Sequence, residues 1–169
     1  MIFRKAVRKD AEQVMHIIDN AKIAMKSNHI PQWHEEYPIL KDILSDIENE
    51  YCYVLEVDNT IVAAAAVIAG IEPTYSSIHS GCWLGDYHYS TIHRLAVNNQ
   101  YFKKGYASAL MNNIVDLSKQ LGMESIRIDT HKVNKPMQAL IKKANFTYCG
   151  IVVMGDRSLR DAFELLLFP

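Results

Sequence analysis

The sequence contains few cysteines and no apolar run long enough to span a membrane. Its three cysteines, Cys52, Cys82 and Cys149, form no CxxC pair and are too few for a disulfide-stapled miniprotein. We therefore expect reduced thiols and a cytoplasmic protein. The longest apolar stretch covers residues 61–71, whereas a membrane helix needs about 20 residues. The first residues also lack the apolar core of a signal peptide.

Charge of either sign is not in excess. Lys and Arg total 18 and Asp and Glu total 19, so the formal net charge is -1. A near-neutral chain has no overall field to hold nucleic acid or an anionic membrane, and we predict neither partner. The composition is ordinary for a globular protein, with 49% hydrophobic and 22% charged residues. The length of 169 residues suits one domain, which we expect to span residues 1–169.

The spacing of the apolar residues predicts an α/β (α+β) fold. Asp10 is expected to cap a first helix, with Gln13 as its capping-box partner, and Asp58-Asn59 is typical of a two-residue hairpin turn. Strand–helix–strand units with short connections indicate parallel central strands. Residues 71–89 form a long insertion of a kind that is usually functional or mobile. The predicted strands cover residues 2–7, 51–57, 60–70, 90–97, 124–131, 146–154 and 161–168. The later predicted helices cover residues 39–49, 105–121 and 135–144.

A turn between a predicted strand and a predicted helix carries the strongest chemical signal. Gly105 and Ala107 stand at the start of the helix, beside Lys103 and Lys104. Small residues let a ligand approach the backbone, and free N–H groups, the helix dipole and two lysines favour a phosphate. The turn is therefore a candidate pyrophosphate site. A solvated turn explains the same residues, because the spacing is neither a Walker motif nor a complete GxGxxG.

The stretch from residue 90 to 150 resembles the GCN5-related N-acetyltransferases, the GNAT superfamily. The resemblance rests on the strand–turn–GYA–helix order and on the segment N-K-P-M-Q-A-L-I-K-K-A-N-F, which begins at Asn134. The W-x-x-x-Y-P segment at residues 33–38, the I-H-R-L-A-V strand and the R-I-D-T-H strand are similar to an uncharacterised bacterial branch. The resemblance implies a mixed, mostly antiparallel sheet with splayed parallel central strands, flanked by helices. It also implies acetyl transfer from acetyl-CoA to a primary amine of a small molecule or protein and, by analogy, a homodimer.

The resemblance also assigns residues to the cofactor, acetyl-CoA (coenzyme A). Its phosphate motif falls on Phe102, Lys103, Lys104, Gly105, Tyr106 and Ala107. Phe102 replaces the usual Arg or Gln and Lys103 replaces a glycine, but donation by backbone N–H groups survives such changes. The strand that pairs with pantetheine falls on Leu95, Ala96 and Val97. Asn134 matches an asparagine that often contacts the cofactor. Ile141 replaces the tyrosine that protonates the leaving thiolate in many members, so another acid or a water molecule must act.

Two histidines are candidates for the base that removes a proton from the amine. His93 is the first, because it lies two residues before Leu95, where many relatives carry Glu, and an ordinary imidazole pKa of about 6.5 suits a base near neutral pH. The alternative for His93 is a buried structural histidine. His131 is the second and is expected to share a strand face with Asp129. Asp129 either orients a histidine in the substrate site or forms an ion pair with Arg94 or Arg127, and Arg94 on the adjacent strand is the expected partner.

The segment between the first two helices often covers the acceptor in this family. Here it contains Trp33, Glu36 and Tyr37. The acidic pair Glu35 and Glu36 would attract a cationic amine, and the aromatic rings would pack on it. The alternative is a solvated helix start in which the acidic residues complement the helix dipole. Trp83, in the insertion, either closes the opposite wall of the acceptor pocket or forms a dimer contact.

Other functions remain as alternatives to the enzyme. No metal site is predicted, because His79 and Cys82 form only a lone HxxC pattern. A second hypothesis is a catalytically silent acyl-CoA sensor of the same fold, which the departures at Phe102, Lys103 and Ile141 support. A third is an interaction protein whose aromatic insertion is a permanent dimer surface. Binding without turnover favours the sensor, and failure to bind any acyl-CoA favours the interaction protein.

Overall fold

A computed structural model describes residues 1–168 and confirms the predicted fold class. Within those residues the chain forms eight strands and four α-helices. The strands are β1 (Ile2–Lys5), β2 (Cys52–Val57), β3 (Thr60–Ala69), β4 (Ile78–His79), β5 (Tyr89–Val97), β6 (Ser125–Thr130), β7 (Thr147–Val153) and β8 (Leu159–Leu166). The helices are α1 (Ala11–Ser27), α2 (Leu40–Glu48), α3 (Tyr106–Gln120) and α4 (Lys135–Lys143). None of the helices in the described part of the chain has the length and apolar character of a membrane span.

The local sequence explains several of these elements. Asp58 and Asn59 adopt left-handed φ values of 48° and 61°, so they form the predicted hairpin turn between β2 and β3. Residues 61–67 of β3 are all buried, as expected for a continuous apolar strand that is covered on both faces. Gly122 follows α3 with a φ of 73°, the left-handed conformation that commonly ends a helix.

The strands follow the order β1-β2-β3-β5-β6-β8-β7-β4 in an eight-stranded, mostly antiparallel sheet. The pair β5–β6 is parallel, and its register runs from Tyr89 opposite Ser125 to Ile92 opposite Ile128. β5 continues beyond this pairing to Val97. The sequence periodicity did not predict β4, a strand of two residues that pairs with β7.

The chain divides into two compact units. The first contains residues 1–67 and 93–113, and the second contains residues 68–92 and the chain from residue 114 onward. The core of the first unit includes Val14, Ile17, Ile18, Ile43 and Val54. The second unit has a buried cluster made of Tyr75, Tyr89, Val152 and Ala162. The single domain expected over residues 1–169 stays a prediction.

Asp10 stands at the N-cap position of α1, as expected, but its side chain accepts no hydrogen bond from the first turn of that helix. It ends a 3-10 turn (Arg8–Asp10), and its carboxylate accepts hydrogen bonds from the Arg4 guanidinium at 2.6 Å and from the Val7 N–H at 2.8 Å. The hydrogen bond from Arg4 lowers the pKa of Asp10, against the opposing effect of burial. The carboxylate therefore ties β1 to the entrance of α1 instead of satisfying the first N–H groups of that helix.

The insertion of residues 71–89 is held by a buried cation. The Arg127 guanidinium lies 4.3 Å from the centre of the Trp83 ring and 4.0 Å from that of Tyr89. Its Nε donates to Glu164 at 2.8 Å, and the Glu164 side chain is fully buried. A cation between two rings, neutralised by a carboxylate, anchors the insertion to the strands of the second unit. The insertion is therefore an ordered part of that unit.

Candidate active site

The turn after β5 leaves an open segment of backbone at the start of α3. Asn98 Oδ1 accepts a hydrogen bond from the Gln100 N–H at 3.1 Å and begins a 3-10 turn (Asn99–Tyr101). Lys103 and Gly105 then adopt left-handed φ values of 62° and 84°. A Cβ atom added to Gly105 would meet no atom within 4 Å. Glycine is favoured here by its backbone conformation, and the space beside it is open to a ligand.

The N-terminus of α3 adds donors and positive charge to this opening. Ala109 donates to the Gly105 carbonyl at 3.0 Å, so the N–H groups of residues 106–108 lie before this helical bond. The helix has 15 residues and a correspondingly full dipole. Lys104 Nζ lies 5.0 Å from the centre of the Tyr101 ring, which holds the ammonium group near the helix start. These donors and charges fit a pyrophosphate group.

A backbone break in β5 precedes the residues expected to pair with pantetheine. Arg94 has a φ of 53°, and the next two residues, Leu95 and Ala96, are both buried, although neighbours in a regular strand face opposite sides. A left-handed conformation costs a residue with a side chain about 1–2 kcal/mol. His93 is half-buried and lies directly before the break. Strain of this kind is concentrated at functional sites.

Arg94 forms its ion pair with Asp46 of α2, which replaces the expected pair with Asp129. Its Nε and Nη2 each donate to one carboxylate oxygen of Asp46 at 2.7 Å. Its Nη1 donates to the Tyr37 hydroxyl at 2.9 Å. Burial opposes the charge of Arg94, but the contacts with Asp46 and Tyr37 outweigh burial and raise its pKa. The bidentate partner of Arg94 is thus Asp46, which lies 48 residues earlier in the sequence.

A groove of about 990 Å³ lies along the segment expected to cover the acceptor. Trp33 and Glu36 line it, together with apolar residues such as Ile23. Lys26 lies 3.6 Å from Glu35, whereas the Glu36 carboxylate is bonded to none of residues 1–168. The groove therefore combines apolar side chains with acidic and basic ones, Lys22 and Lys26 among them. Its Glu36 carboxylate has no bonded partner in the described chain.

Trp83 and Asp129, both expected at the substrate site, make contacts inside the second unit. The centres of the Trp83 and Tyr75 rings are 5.2 Å apart, and Trp83 Nε1 donates to the Tyr75 carbonyl at 3.0 Å. The buried Tyr75 hydroxyl donates to Asp129 Oδ1 at 2.7 Å, and Arg160 Nε lies 3.9 Å from Asp129 Oδ2. Burial and the charge of Asp129 raise the pKa of Tyr75 well above its ordinary value. These contacts favour a structural role for both residues.

His131 does not share a strand face with Asp129, because β6 ends at Thr130. Its Nδ1 accepts a hydrogen bond from the Val133 N–H at 3.3 Å in the turn before α4. Burial, followed by nearby cations that include Arg160, lowers the pKa of His131. A lowered pKa keeps the ring neutral near pH 7 and able to accept a proton.

Comparison with known proteins decides the family. The model of the acetyltransferase (GNAT) family matches residues 16–146, which is most of the chain. The chain belongs to the GNAT family of acetyltransferases. The crystal structure of a GNAT-family acetyltransferase from Streptococcus agalactiae 2603 is 33% identical, with a TM-score of 0.91 over 98% of this chain and 94% of that one. A protein from Staphylococcus aureus Mu50 is 28% identical, with a TM-score of 0.75 over 99% of this chain and 100% of that one.

More distant acetyltransferase structures share the fold alone. The ribosomal-protein-S18-alanine N-acetyltransferase of Escherichia coli is 16% identical, with a TM-score of 0.69 over 99% of this chain and 94% of that one. A comparison with curated proteins gave no match.

Two positions of the GNAT pattern lie in the second unit. Asn134 is buried, and its Oδ1 accepts a hydrogen bond from the Met137 N–H at 3.3 Å, so it caps α4. Ile141 is fully buried and has no proton to donate. Sequence reasoning singled out the turn at Gly105 but missed Asp46. The available signal was its place on the buried face of α2, three residues after Ile43, because a buried acid requires a cationic partner.

Proposed function

We propose that this GNAT protein transfers the acetyl group of acetyl-CoA to a primary amine of a small molecule or a protein, by direct attack in a ternary complex. The observation that carries the proposal is the glycine-opened turn at Gly105, which connects the broken strand β5 to the N-terminus of α3. Membership of the family supports acyl transfer in general. The donor, the acceptor class and the roles of individual residues are part of the proposal.

The residues around this turn fit the cofactor, which when bound supplies a thioester-activated acetyl group. We assign its phosphates to the backbone and charges of Phe102, Lys103, Lys104, Gly105, Tyr106 and Ala107. We assign its pantetheine arm to the backbone of Leu95, Ala96 and Val97. Asn134 is a further proposed contact, although its side chain also caps α4. The exposed Phe102 ring stands where the family usually has Arg or Gln, and it cannot bind a phosphate. The two lysines and the helix N–H groups would therefore attract the phosphates of the cofactor.

Acetyl transfer to an amine requires a base. The amine attacks only in its neutral form, so a side chain or water must take its proton. We propose His93 for this role, because it adjoins the strained residue Arg94 at the break in β5. His131, with its lowered pKa, is the second candidate. Because Ile141 has no acidic proton, the leaving thiolate would take its proton from water or another acid.

The groove beside α1 is the proposed acceptor site. Trp33 supplies an aromatic surface and Glu36 supplies a carboxylate without a bonded partner in the described chain. An ammonium group attached to an apolar body matches this combination. Tyr37 supports the segment through its bond from Arg94. Trp83 and Asp129 have partners in the second unit, so their assignment to the substrate is the less favoured alternative.

Calorimetric titration with acetyl-CoA, followed by thiol release against a panel of amines, tests the proposal. Binding followed by amine-dependent thiol release supports the enzyme and begins to identify the acceptor. Binding without release for every amine favours the silent acyl-CoA sensor, for which the buried Ile141 is the specific observation. Absence of binding contradicts the assignment of the turn at Gly105.

Two further expectations belong to the same proposal. A cytoplasmic location agrees with three cysteines that are all free, and fractionation of cells tests it. The homodimer rests on family analogy, and light scattering of the purified protein measures the mass directly.

A further inference from the structure

One side chain joins the strained strand to two other elements of the first unit. Arg94 uses Nε and Nη2 to bind Asp46 of α2, and Nη1 to bind the Tyr37 hydroxyl. The Asp46 pair is bidentate and mostly buried, with side-chain exposures of 14% for Arg94 and 9% for Asp46. This pair fixes where the guanidinium lies. The remaining donor is therefore presented to Tyr37 in a defined direction.

Tyr37 belongs to the segment of residues 31–38, which we call the acceptor loop. The His34 N–H donates to the Tyr37 carbonyl at 2.9 Å, and the Tyr37 N–H donates to the His34 carbonyl at 3.2 Å. These reciprocal bonds close a tight turn that carries Glu35 and Glu36 at its tip. Any restraint on the Tyr37 side chain is thus transmitted to the backbone that presents Glu36 to the groove.

We infer that Arg94 is a positioning residue that fixes the acceptor loop to β5 through the Tyr37 hydroxyl. This inference rests on the proposed function and deepens it. The backbone of Arg94 forms the break beside the proposed thioester site, and its side chain holds the loop that lines the proposed amine site. One residue therefore sets the position of the acceptor relative to the strand. It touches neither substrate in this assignment.

The bond to Tyr37 is the link that can be cut without unfolding the protein. Tyr37 is 36% exposed and makes one bond to Arg94 through a neutral hydroxyl, whereas the Asp46 carboxylate is buried and charged. Tyr37→Phe removes only the hydroxyl. Tyr51→Phe is the matched control, because Tyr51 is also 36% exposed and its hydroxyl is bonded to none of residues 1–168.

Hydrogen exchange and steady-state kinetics on the full chain test the inference together. In Tyr37→Phe we expect amide exchange in residues 33–37 to be about tenfold faster, as for one lost hydrogen bond to a charged donor. We expect the KM for the best amine of the panel to rise by a similar factor, with acetyl-CoA affinity unchanged. Arg94→Lys, which keeps the charge but lacks the planar donor set, should also speed exchange in residues 33–37 and raise the acceptor KM, with an added loss of stability because the bidentate pair with buried Asp46 is lost too. Tyr51→Phe should show neither change.

The outcomes separate this inference from the proposed function. Unchanged exchange in residues 33–37 of Tyr37→Phe overturns the inference, and so does faster exchange with the same acceptor KM. An equal loss of acetyl-CoA affinity would also overturn it, because the effect would then be general. If the wild-type protein acetylates no amine, the proposed function fails, while the exchange data still decide whether Arg94 holds the loop.

Discussion

Glu164→Gln is expected to cost the second unit a large part of its stability. The carboxylate is fully buried and accepts hydrogen bonds from Arg127 at 2.8 Å, from the Ser125 hydroxyl at 2.7 Å and from the Leu84 N–H at 2.7 Å. Glutamine has nearly the same shape but no charge, so it leaves the buried Arg127 guanidinium without a counter-ion. Removing one partner of a buried ion pair costs about 3–5 kcal/mol. For a chain of this size the midpoint of thermal unfolding would fall by roughly 6–20 °C.

Urea unfolding followed by circular dichroism, with calorimetry for the thermal midpoint, measures this loss. Glu48→Gln is the control, because it makes the same change at a carboxylate that is 65% exposed and lies 3.1 Å from Arg8. Exposed pairs contribute about 0–1 kcal/mol, so the control should change little. A loss below about 1 kcal/mol in Glu164→Gln would refute the reasoning. It would mean that the two aromatic rings stabilise the Arg127 cation without help from the carboxylate.

Three further predictions concern the first unit. Gly105→Val should weaken acetyl-CoA binding in calorimetry. Gly122→Val is the control, because Gly122 is also left-handed with open space around an added Cβ, and it should lower stability only. Equal losses of affinity in the two variants would contradict the cofactor assignment. His93→Ala should lower turnover about 100-fold at unchanged acetyl-CoA affinity. Full activity of this variant would show that the base is another group. Because the native pKa of Asp10 is lowered, its contribution to the free energy of unfolding is present at neutral pH and lost as the pH falls through that lowered value. Asp10→Asn should therefore flatten the acid side of urea midpoints plotted against pH, and an unchanged slope would exclude this contribution.

Short-range patterns were predictable because their causes are local. The left-handed pair Asp58-Asn59 and the glycine after α3 depend on residues that tolerate positive φ, so the sequence reveals them directly. The turn at Gly105 was found for the same reason. Asp10 shows where this logic fails. Its spacing to Gln13 fits a helix cap, but its carboxylate is hydrogen-bonded to the Arg4 guanidinium instead of to the first turn of α1.

Long-range pairing was not predictable from periodicity. Arg94 and Asp46 are 48 residues apart. The apolar spacing of α2 marks Asp46 as a buried acid, but no local rule identifies Arg94 as its partner. The left-handed φ of Arg94 also could not be predicted from the residue type, because arginine does not favour that conformation. β4 was missed because two residues are too few to show an alternation. The parts of the proposed active site that depend on tertiary contacts were therefore visible only in the structure.

The two tryptophans of the chain fall in different units, which gives each unit its own optical probe. Trp33 lines the groove beside α1, and Trp83 lies against the Arg127 guanidinium. Indole emission responds to the polarity and charge around the ring. A variant that keeps only Trp33 would therefore report a ligand that enters this groove, the proposed acceptor site, and one that keeps only Trp83 would report loosening of the insertion. Ligand entry and partial unfolding could then be followed separately in the same protein, without an attached dye.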